Sequence, residues 1–254
     1  MSVWCCSDIH GNMDIWNKIK ESLNWKYDIL ICLGDCADRG SDGWEIIKDM
    51  LRIENSDYST YIRGNHEQML INALDDYIKY DGMTDYNFYL LAQNGGAETF
   101  YDAIADPNMQ DWLTRLKRTP IYFEYINNQS DRIFLSHAGC SWNRLNHHFK
   151  DGQFYKETLE MQEYLKKELL WNRKNFTENY KNNNFYDIQV YGHTPIPYLL
   201  SSMDYFLERP HSLKTSYDNC QNWHKINIDA GTYATNISIL LNLDTFEEII
   251  IKSE

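Results

Sequence analysis

No run in this chain is apolar for long enough to cross a membrane, which takes about 18 consecutive residues, so a helical membrane protein is excluded. The opening MSVWCCSDIH lacks a basic stretch followed by an apolar one. It reads as a first β-strand rather than a secretory leader, and the expected compartment is the cytoplasm. Positive charge is scarce: 24 Lys and Arg stand against 37 Asp and Glu, a formal net charge of −13. That disfavours a general nucleic-acid binder, which uses a basic face. A small phosphate substrate stays open, because bound metal ions reverse the local field. None of the six cysteines (Cys5, Cys6, Cys32, Cys36, Cys140, Cys220) belongs to a CxxC pair. Without a leader, disulfides are not expected, and these cysteines read as small buried residues. With 5 Pro and 12 Gly the chain has no linker that would divide it, and it has no internal repeat. Residues 1–254 read as one domain.

What is present is enough apolar material for a core, 43% of the residues, made bulky by 19 Tyr. The first third alternates strand and helix. VWCCSD, YDILICLGD and STYIRGN read as strands. Met13–Leu23, GWEIIKDML and His66–Tyr80 read as helices, the last with Met69, Leu70, Ala73, Leu74, Tyr77 and Ile78 in one stripe. Such alternation implies parallel strands with crossover helices. Residues 81–120 read as helical and less regular. A hairpin turning near Asn127–Asn128 follows, then a helix over about 155–171, the polar loop NRKNFTENYKNNNF and a strand in YDIQVYGH. The tail from His224 reads as two or three antiparallel strands. His147, His148, His211 and His224 read as loop or surface residues.

The informative pattern is where metal-type side chains fall. Asp8 and His10 follow VWCCS, Asp35 follows ILICLG, Asn65 follows TYIRG, His137 follows RIFLS and His193 follows IQVYG. Each sits at the carboxyl end of an apolar strand run, the edge where open α/β sheets bind ligands. Gly34, Gly64 and Gly192 precede three of them and are expected to supply the unusual turn that aims the next side chain. Asp8 and His10, two apart at a strand end, are expected on the same side, gripping one ion. Asp35 can bridge to a second ion completed by Asn65, His137 and His193. Nitrogen and oxygen donors without thiolate suit Mn, Fe or Zn. Two such ions about 3.5–4 Å apart can stabilise the attacking and leaving oxygens of an in-line displacement. His66, next to Asn65, can protonate a leaving oxygen with Asp38 orienting it, and Arg39 and Arg63 can clamp phosphate oxygens.

SDIHGN, GDCADRG, RGNHE, SHAG and YGHTP, in this order, resemble the motifs of the calcineurin-like metallophosphoesterases, and the INIDAGT tail is similar too. The DRG and GNHE forms resemble the phosphoprotein phosphatase branch, especially its small bacterial and bacteriophage (lambda-type) serine/threonine phosphatases. The resemblance implies an α/β fold with a central two-sheet β-sandwich flanked by helices. It implies two divalent metal ions, Mn above Fe or Zn, and direct in-line attack on a phosphomonoester by a metal-bound hydroxide. Asp8, His10 and Asp35 match the first metal site, and Asp35, Asn65, His137 and His193 the second. His66 matches the general acid, Asp38 its partner, and Arg39 and Arg63 phosphate-binding arginines. Arg173 in LLWNRKNF matches a further one. The family often has HGG where this chain has His137-Ala138-Gly139. AQNGGAET resembles a segment common in bacterial members and is expected at the rim, with residues 81–120 and 172–187 as rim or cap insertions.

The leading expectation is a protein serine/threonine phosphatase whose substrate is a phosphorylated protein or a small phosphate ester, with no general nucleic-acid binding and no membrane partner. Symmetrical diadenosine tetraphosphate hydrolysis shares the same centre, but that group usually lacks the aspartate that Asp38 supplies. A nucleotide or RNA-end phosphatase is disfavoured by the net charge of −13. A catalytically dead scaffold would have lost a ligand or the acid, and every one of these positions is filled here.

Overall fold

A computed structural model describes residues 2–54, 59–82, 86–141, 149–150, 153–154, 159–174, 186–215 and 225–253. Cys220, His147, His148, His224 and most of the polar loop, 175–185, lie outside the described residues.

The first sheet is ordered β12-β11-β1-β2-β3, from strands β1 (Ser2–Cys6), β2 (Asp28–Cys32), β3 (Thr60–Tyr61), β11 (Ile237–Asn242) and β12 (Glu248–Lys252). β1, β2 and β3 run parallel. The second is ordered β4-β5-β8-β10-β9, from β4 (Tyr122–Ile126), β5 (Arg132–Ser136), β8 (Ile188–Tyr191), β9 (Leu213–Thr215) and β10 (Lys225–Asn227). Here β5, β8 and β10 are parallel. A two-residue pair, β6 (Phe149–Lys150) and β7 (Gln153–Phe154), stands apart.

The strands are apolar on both faces because both faces are covered. Val3, Cys5, Ile31 and Leu33 face Ile133, Leu135, Val190 and Ile226 in the core between the sheets. The alternate residues Cys6, Leu30 and Cys32 meet Trp16, Ile19, Trp44 and Ile47 in a second core under the helices. Phe134 faces the other way, onto Leu165 and Leu169 of the helix Leu159–Trp171. The two-residue period of a strand thus feeds three layers from one sequence pattern.

Helices α1 (Met13–Ser22), α2 (Gly43–Glu54) and α3 (Asn65–Lys79) occupy the crossovers. Asn12 caps α1 by accepting from Ile15 N (3.0 Å). Residues 81–120 supply α4 (Tyr86–Gln93), α5 (Ala97–Ala105) and α6 (Met109–Leu116). They bury Leu91, Phe100, Leu113 and Leu116 in the same core as α2 and α3, so this stretch is part of the helical layer. The hairpin turns as expected, with Asn127 Oδ1 accepting from Gln129 N (3.0 Å) and Asp131 N (2.8 Å).

The tail holds the expected antiparallel pair, β11 and β12, and its first strand, β10, is antiparallel to β9 as well. On its other side, however, β10 is parallel to β8. Its carboxyl end therefore opens on the same edge as those of β5 and β8. All the parallel strands point their carboxyl ends at that edge, and the loops leaving them build the site.

Candidate metal centre

The loop after β1 lies along the loop after β2. Asp8 N bonds Gly34 O (3.0 Å), His10 N bonds Asp35 O (3.0 Å) and Gly11 N bonds Cys36 O (2.8 Å). Asp8, His10, Asp35, Asp38, Arg39 and His193 all have left-handed backbones, with φ between 49° and 69°. Non-glycine residues in that region are uncommon and store strain, about 1–3 kcal/mol each where the region is sparsely populated, and they gather at functional sites. Asp8 and His10 are therefore aimed by loop conformation and not by strand alternation, because β1 has ended at Cys6. Of the three glycines, Gly34 supplies the expected turn, with φ 92° just before Asp35, whereas Gly64 and Gly192 act differently. Gly192 does not have a positive φ; a Cβ there would collide with Ser7 Oγ and Asp8 Oδ2. It is glycine to admit the ligand loop of the other sheet.

His10 Nδ1 donates to Ala37 O (3.0 Å), which turns Nε2 toward Asp8 Oδ1 and Asp35 Oδ2, each 3.9 Å away. His137 Nδ1 donates to Leu33 O (2.9 Å). Its Nε2 then lies 2.8 Å from Asn65 Oδ1, 3.1 Å from His193 Nδ1 and 3.3 Å from Asp35 Oδ2. A backbone carbonyl holding the far nitrogen is the usual way a ligand imidazole is fixed in tautomer and orientation. Asp8 Oδ2 is occupied by Ser7 Oγ and by His193 N (3.0 Å), leaving Oδ1 for the cluster. His10, Asp35 and His66 form one group able to hold a metal, and Asp35, His137 and His193 another, with donor atoms within 4.8 Å of one another in each. Asp35 is common to both, as a bridging ligand requires.

The donors fit a pair of divalent cations. Lone pairs of Asn65, Asp35, His193 and His137 converge on one point, which is favourable only around positive charge. Burial opposes charging His137, but Asp35, Asp8 and Glu67 outweigh it and push that imidazole up to about 10. Burial raises the Asp35 carboxyl, yet His137 and His66 hold it well below the usual range. Burial pushes Asp8 up to about 6, with His137 opposing and Asp35 adding. His193 Nε2 is buried without a hydrogen-bond partner. Burial and His137 keep this ring well below its ordinary basicity, hence a neutral donor. Gly192→Ala should weaken Mn²⁺ binding about 10- to 100-fold while the far-ultraviolet circular dichroism stays that of the parent. Unchanged affinity in a metal titration would mean that the close approach does not matter.

Beside the cluster, His66 Nδ1 donates to Asp38 Oδ2 (2.7 Å), and His66 Nε2 lies 3.8 Å from Asp35 Oδ2. Burial lowers the His66 imidazole, but Asp35 and Asp38 raise it further, so it ends above its ordinary value. Gly95 and Gly96 of AQNGGAET press directly on this pair. Gly95 O accepts from Arg39 N (2.9 Å), and a Cβ on Gly96 would come to 2.6 Å from Asp38 Oδ2. Arg39 is exposed at the mouth, with Nη1 donating to His10 Nε2 (3.0 Å) and Nη2 to His66 Nε2 (3.2 Å). Arg173, also exposed, reaches His193 O (3.4 Å) from the other side.

Arg63 is not available as a phosphate clamp. It is buried, with Nη1 on Gln68 Oε1 (2.8 Å), Nη2 on Lys117 O (2.7 Å) and Thr119 O (2.9 Å), and Nε on Thr119 Oγ1 (3.4 Å). Its donors tie β3 to the end of α6.

Two residues of the site were not singled out in the sequence. Glu67 is fully buried and accepts from the backbone N–H of Asp35 (2.8 Å), Cys36 (2.8 Å), Ala37 (3.1 Å) and Gly64 (2.8 Å). It moulds the Asp35 loop onto the start of α3. Asp229 follows β10, is buried, and accepts from Gly231 N (2.8 Å). Burial and nearby Asp8 push its carboxyl well above the usual range. INIDAG is the same signal as the others, an apolar strand ending in an acid, hidden because the strand was read as antiparallel.

Paired mixed sheets with carboxylate, imidazole and amide donors at one edge define a class of metal-centred α/β proteins. The model of the calcineurin-like phosphoesterases matches residues 1–228, and the chain belongs to that family. It is 30% identical over 141 residues to serine/threonine-protein phosphatase 2 of Escherichia coli K12, a match spanning 54% of this chain and 57% of that protein. The phosphatase 2 of Salmonella typhimurium is 31% identical over the same length. The chain thus spans a little over half the length of the curated relatives it matches. Among solved structures it is similar in fold to a putative diadenosine tetraphosphatase (TM-score 0.57, 15% identity, 100% of this chain and 94% of that one). A protein serine/threonine phosphatase from Saccharomyces cerevisiae is also similar (TM-score 0.58, 13%, 100% and 80%).

Proposed function

We propose that this chain is a metal-dependent phosphomonoester hydrolase acting on phosphorylated serine and threonine in proteins. The observation that carries the reading is a buried His66–Asp38 pair at 2.7 Å, set against a cluster whose carboxylate Asp35 is shared by two donor groups. Asp8, His10 and Asp35 would hold one ion, and Asp35, Asn65, His137 and His193 the other. When bound, the ions draw the phosphoryl group and make water a competent nucleophile at neutral pH. Asp38 accepts from His66 Nδ1–H and, with Asp35, stabilises the charged imidazolium, whose Nε2–H then protonates the leaving oxygen. Arg39, held at the mouth beside the two imidazoles, offers its fork to the phosphoryl oxygens, and Arg173, at His193 O, adds a second guanidinium. Donors of nitrogen and oxygen without thiolate support manganese, with iron or zinc as the alternatives. Among the described residues no helix is long and apolar enough to cross a membrane.

Metal-stripped protein should be inert toward p-nitrophenyl phosphate and recover with added Mn²⁺. A phosphoserine peptide should then be turned over with a higher kcat/KM than diadenosine tetraphosphate. No turnover with Mn, Fe or Zn would sink the hydrolase reading, and preference for the dinucleotide would sink the protein-substrate reading alone.

A further inference from the structure

We propose that Tyr233, braced by Tyr198, is a positioning residue that aims the Arg39 guanidinium at the phosphoryl group. The inference rests on the role given to Arg39 above. Arg39 is an exposed side chain with many rotamers, and its usefulness depends on its fork being held before substrate arrives. Its guanidinium carbon stands 4.3 Å from the centroid of the Tyr233 ring. A planar guanidinium against an aromatic face is attracted by the ring quadrupole while its in-plane N–H groups stay free. Here those groups point at His10 Nε2 and His66 Nε2, so the ring fixes the plane in which the fork opens toward the cluster. Tyr233 also meets the His10 ring edge-on, at 5.8 Å between centroids.

The ring has its own support. The hydroxyls of Tyr233 and Tyr198 are 2.6 Å apart. Tyr233 lies in the turn Thr232–Thr235, entered through Gly231 at φ 69°, and Tyr198 in the turn Ile196–Leu199 that follows ligand His193. The pair therefore clasps the loops after β8 and β10 and presents the result to an arginine from the first sheet. Core packing does not explain it, since Tyr233 is 40% and Tyr198 56% exposed. Tyr233 and Arg39 line one cleft with His10, Gly40 and Asn236, so a phosphate ester reaching Arg39 passes along the tyrosine.

The test uses manganese-loaded protein and two readouts: kcat and KM on p-nitrophenyl phosphate, and the affinity for inorganic phosphate by titration calorimetry. Tyr233→Leu should raise KM and weaken phosphate about fivefold to tenfold, the range of a partly desolvated cation–π contact, with kcat within about twofold and metal content unchanged. Tyr233→Trp keeps a ring but loses the bond to the Tyr198 hydroxyl and should recover most of the loss, which also shows that the leucine variant's loss is not misfolding; Tyr198→Phe should show the same small residual loss. In an Arg39→Ala background, Tyr233→Leu should add nothing. An additive loss in that background, or no loss in the parent, overturns the proposal. If Arg39→Ala itself leaves phosphate affinity unchanged, the reading of Arg39 fails and this proposal with it. A wild type that binds phosphate normally but turns nothing over separates failure of the hydrolase reading from both.

Discussion

His66→Asn should lower kcat on a phosphoserine peptide by about 10²–10⁴-fold, the usual worth of a positioned general acid, with both metal ions retained. The loss should be smaller on p-nitrophenyl phosphate. Nitrophenolate departs without a proton, whereas a serine alkoxide must be protonated as it leaves. The distinction matters because His66 Nε2 lies only 3.8 Å from Asp35 Oδ2 and could serve as a ligand. A ligand role would remove metal and activity together, equally for both substrates. The 2.7 Å bond from Nδ1 to Asp38 favours the acid. It fixes the tautomer and, with Asp35, raises the ring above its ordinary value, so the proton is on hand near neutral pH. Metal content by mass spectrometry beside the two kcat values decides the matter.

The second large effect belongs to a residue that touches no substrate. Glu67→Gln should destabilise the protein by about 4 kcal/mol, a large part of the 5–15 kcal/mol that holds a typical domain together. Both carboxylate oxygens accept from two backbone N–H groups each: Oε2 from Asp35 and Gly64, Oε1 from Cys36 and Ala37. A glutamine offers one oxygen, so its NH₂ must face two donors at close range. Those N–H groups are left without an acceptor inside a buried loop. For a chain of this size the melting temperature should fall by roughly 10–15 °C. A fall of less than about 3 °C would mean that the Asp35 loop holds its shape unaided.

Glu67 also marks the limit of what the sequence could tell. That six metal-type side chains gather in one place was legible, because each is an imidazole, carboxylate or amide placed just past an apolar strand, and parallel strands end on a common edge. Glu67 follows no strand. Its bond from Gly64 N is the local contact of a glutamate three residues into a helix, but the other three arise from where the Asp35 loop folds over the start of α3, a tertiary fact. Arg63 misled for the converse reason. Its place beside Gly64 and Asn65 suggested the site, but its side chain runs the opposite way, into the end of α6. Asp229 was missed through strand direction, because hydrophobic runs say that KINI is a strand and nothing about which neighbour it pairs with. The layering was legible, since strands apolar on both faces must be covered on both. The left-handed turns of Asp8, His10, Asp35 and His193 were not. Aspartate and histidine enter that region more readily than most residues, but neither requires it, so their presence at a strand end does not by itself set the turn.

Because the first sheet supplies Asp8, His10, Asp35 and Asn65 and the second His137 and His193, the centre straddles the seam between them. The bond from His193 N to Asp8 Oδ2 closes 185 residues of chain. The donors proposed for one ion, Asp8, His10 and Asp35, all leave the first sheet, but those proposed for the other are split between the sheets, so that second ion would be captured only after the halves have docked. Once bound it would act as a rivet. Affinity present only in the docked state adds directly to its stability, and it falls on the step that would part the sheets. Loss of that seam-spanning ion would therefore shorten the life of the docked state, through faster parting of the sheets, more than it would slow the folding of either one.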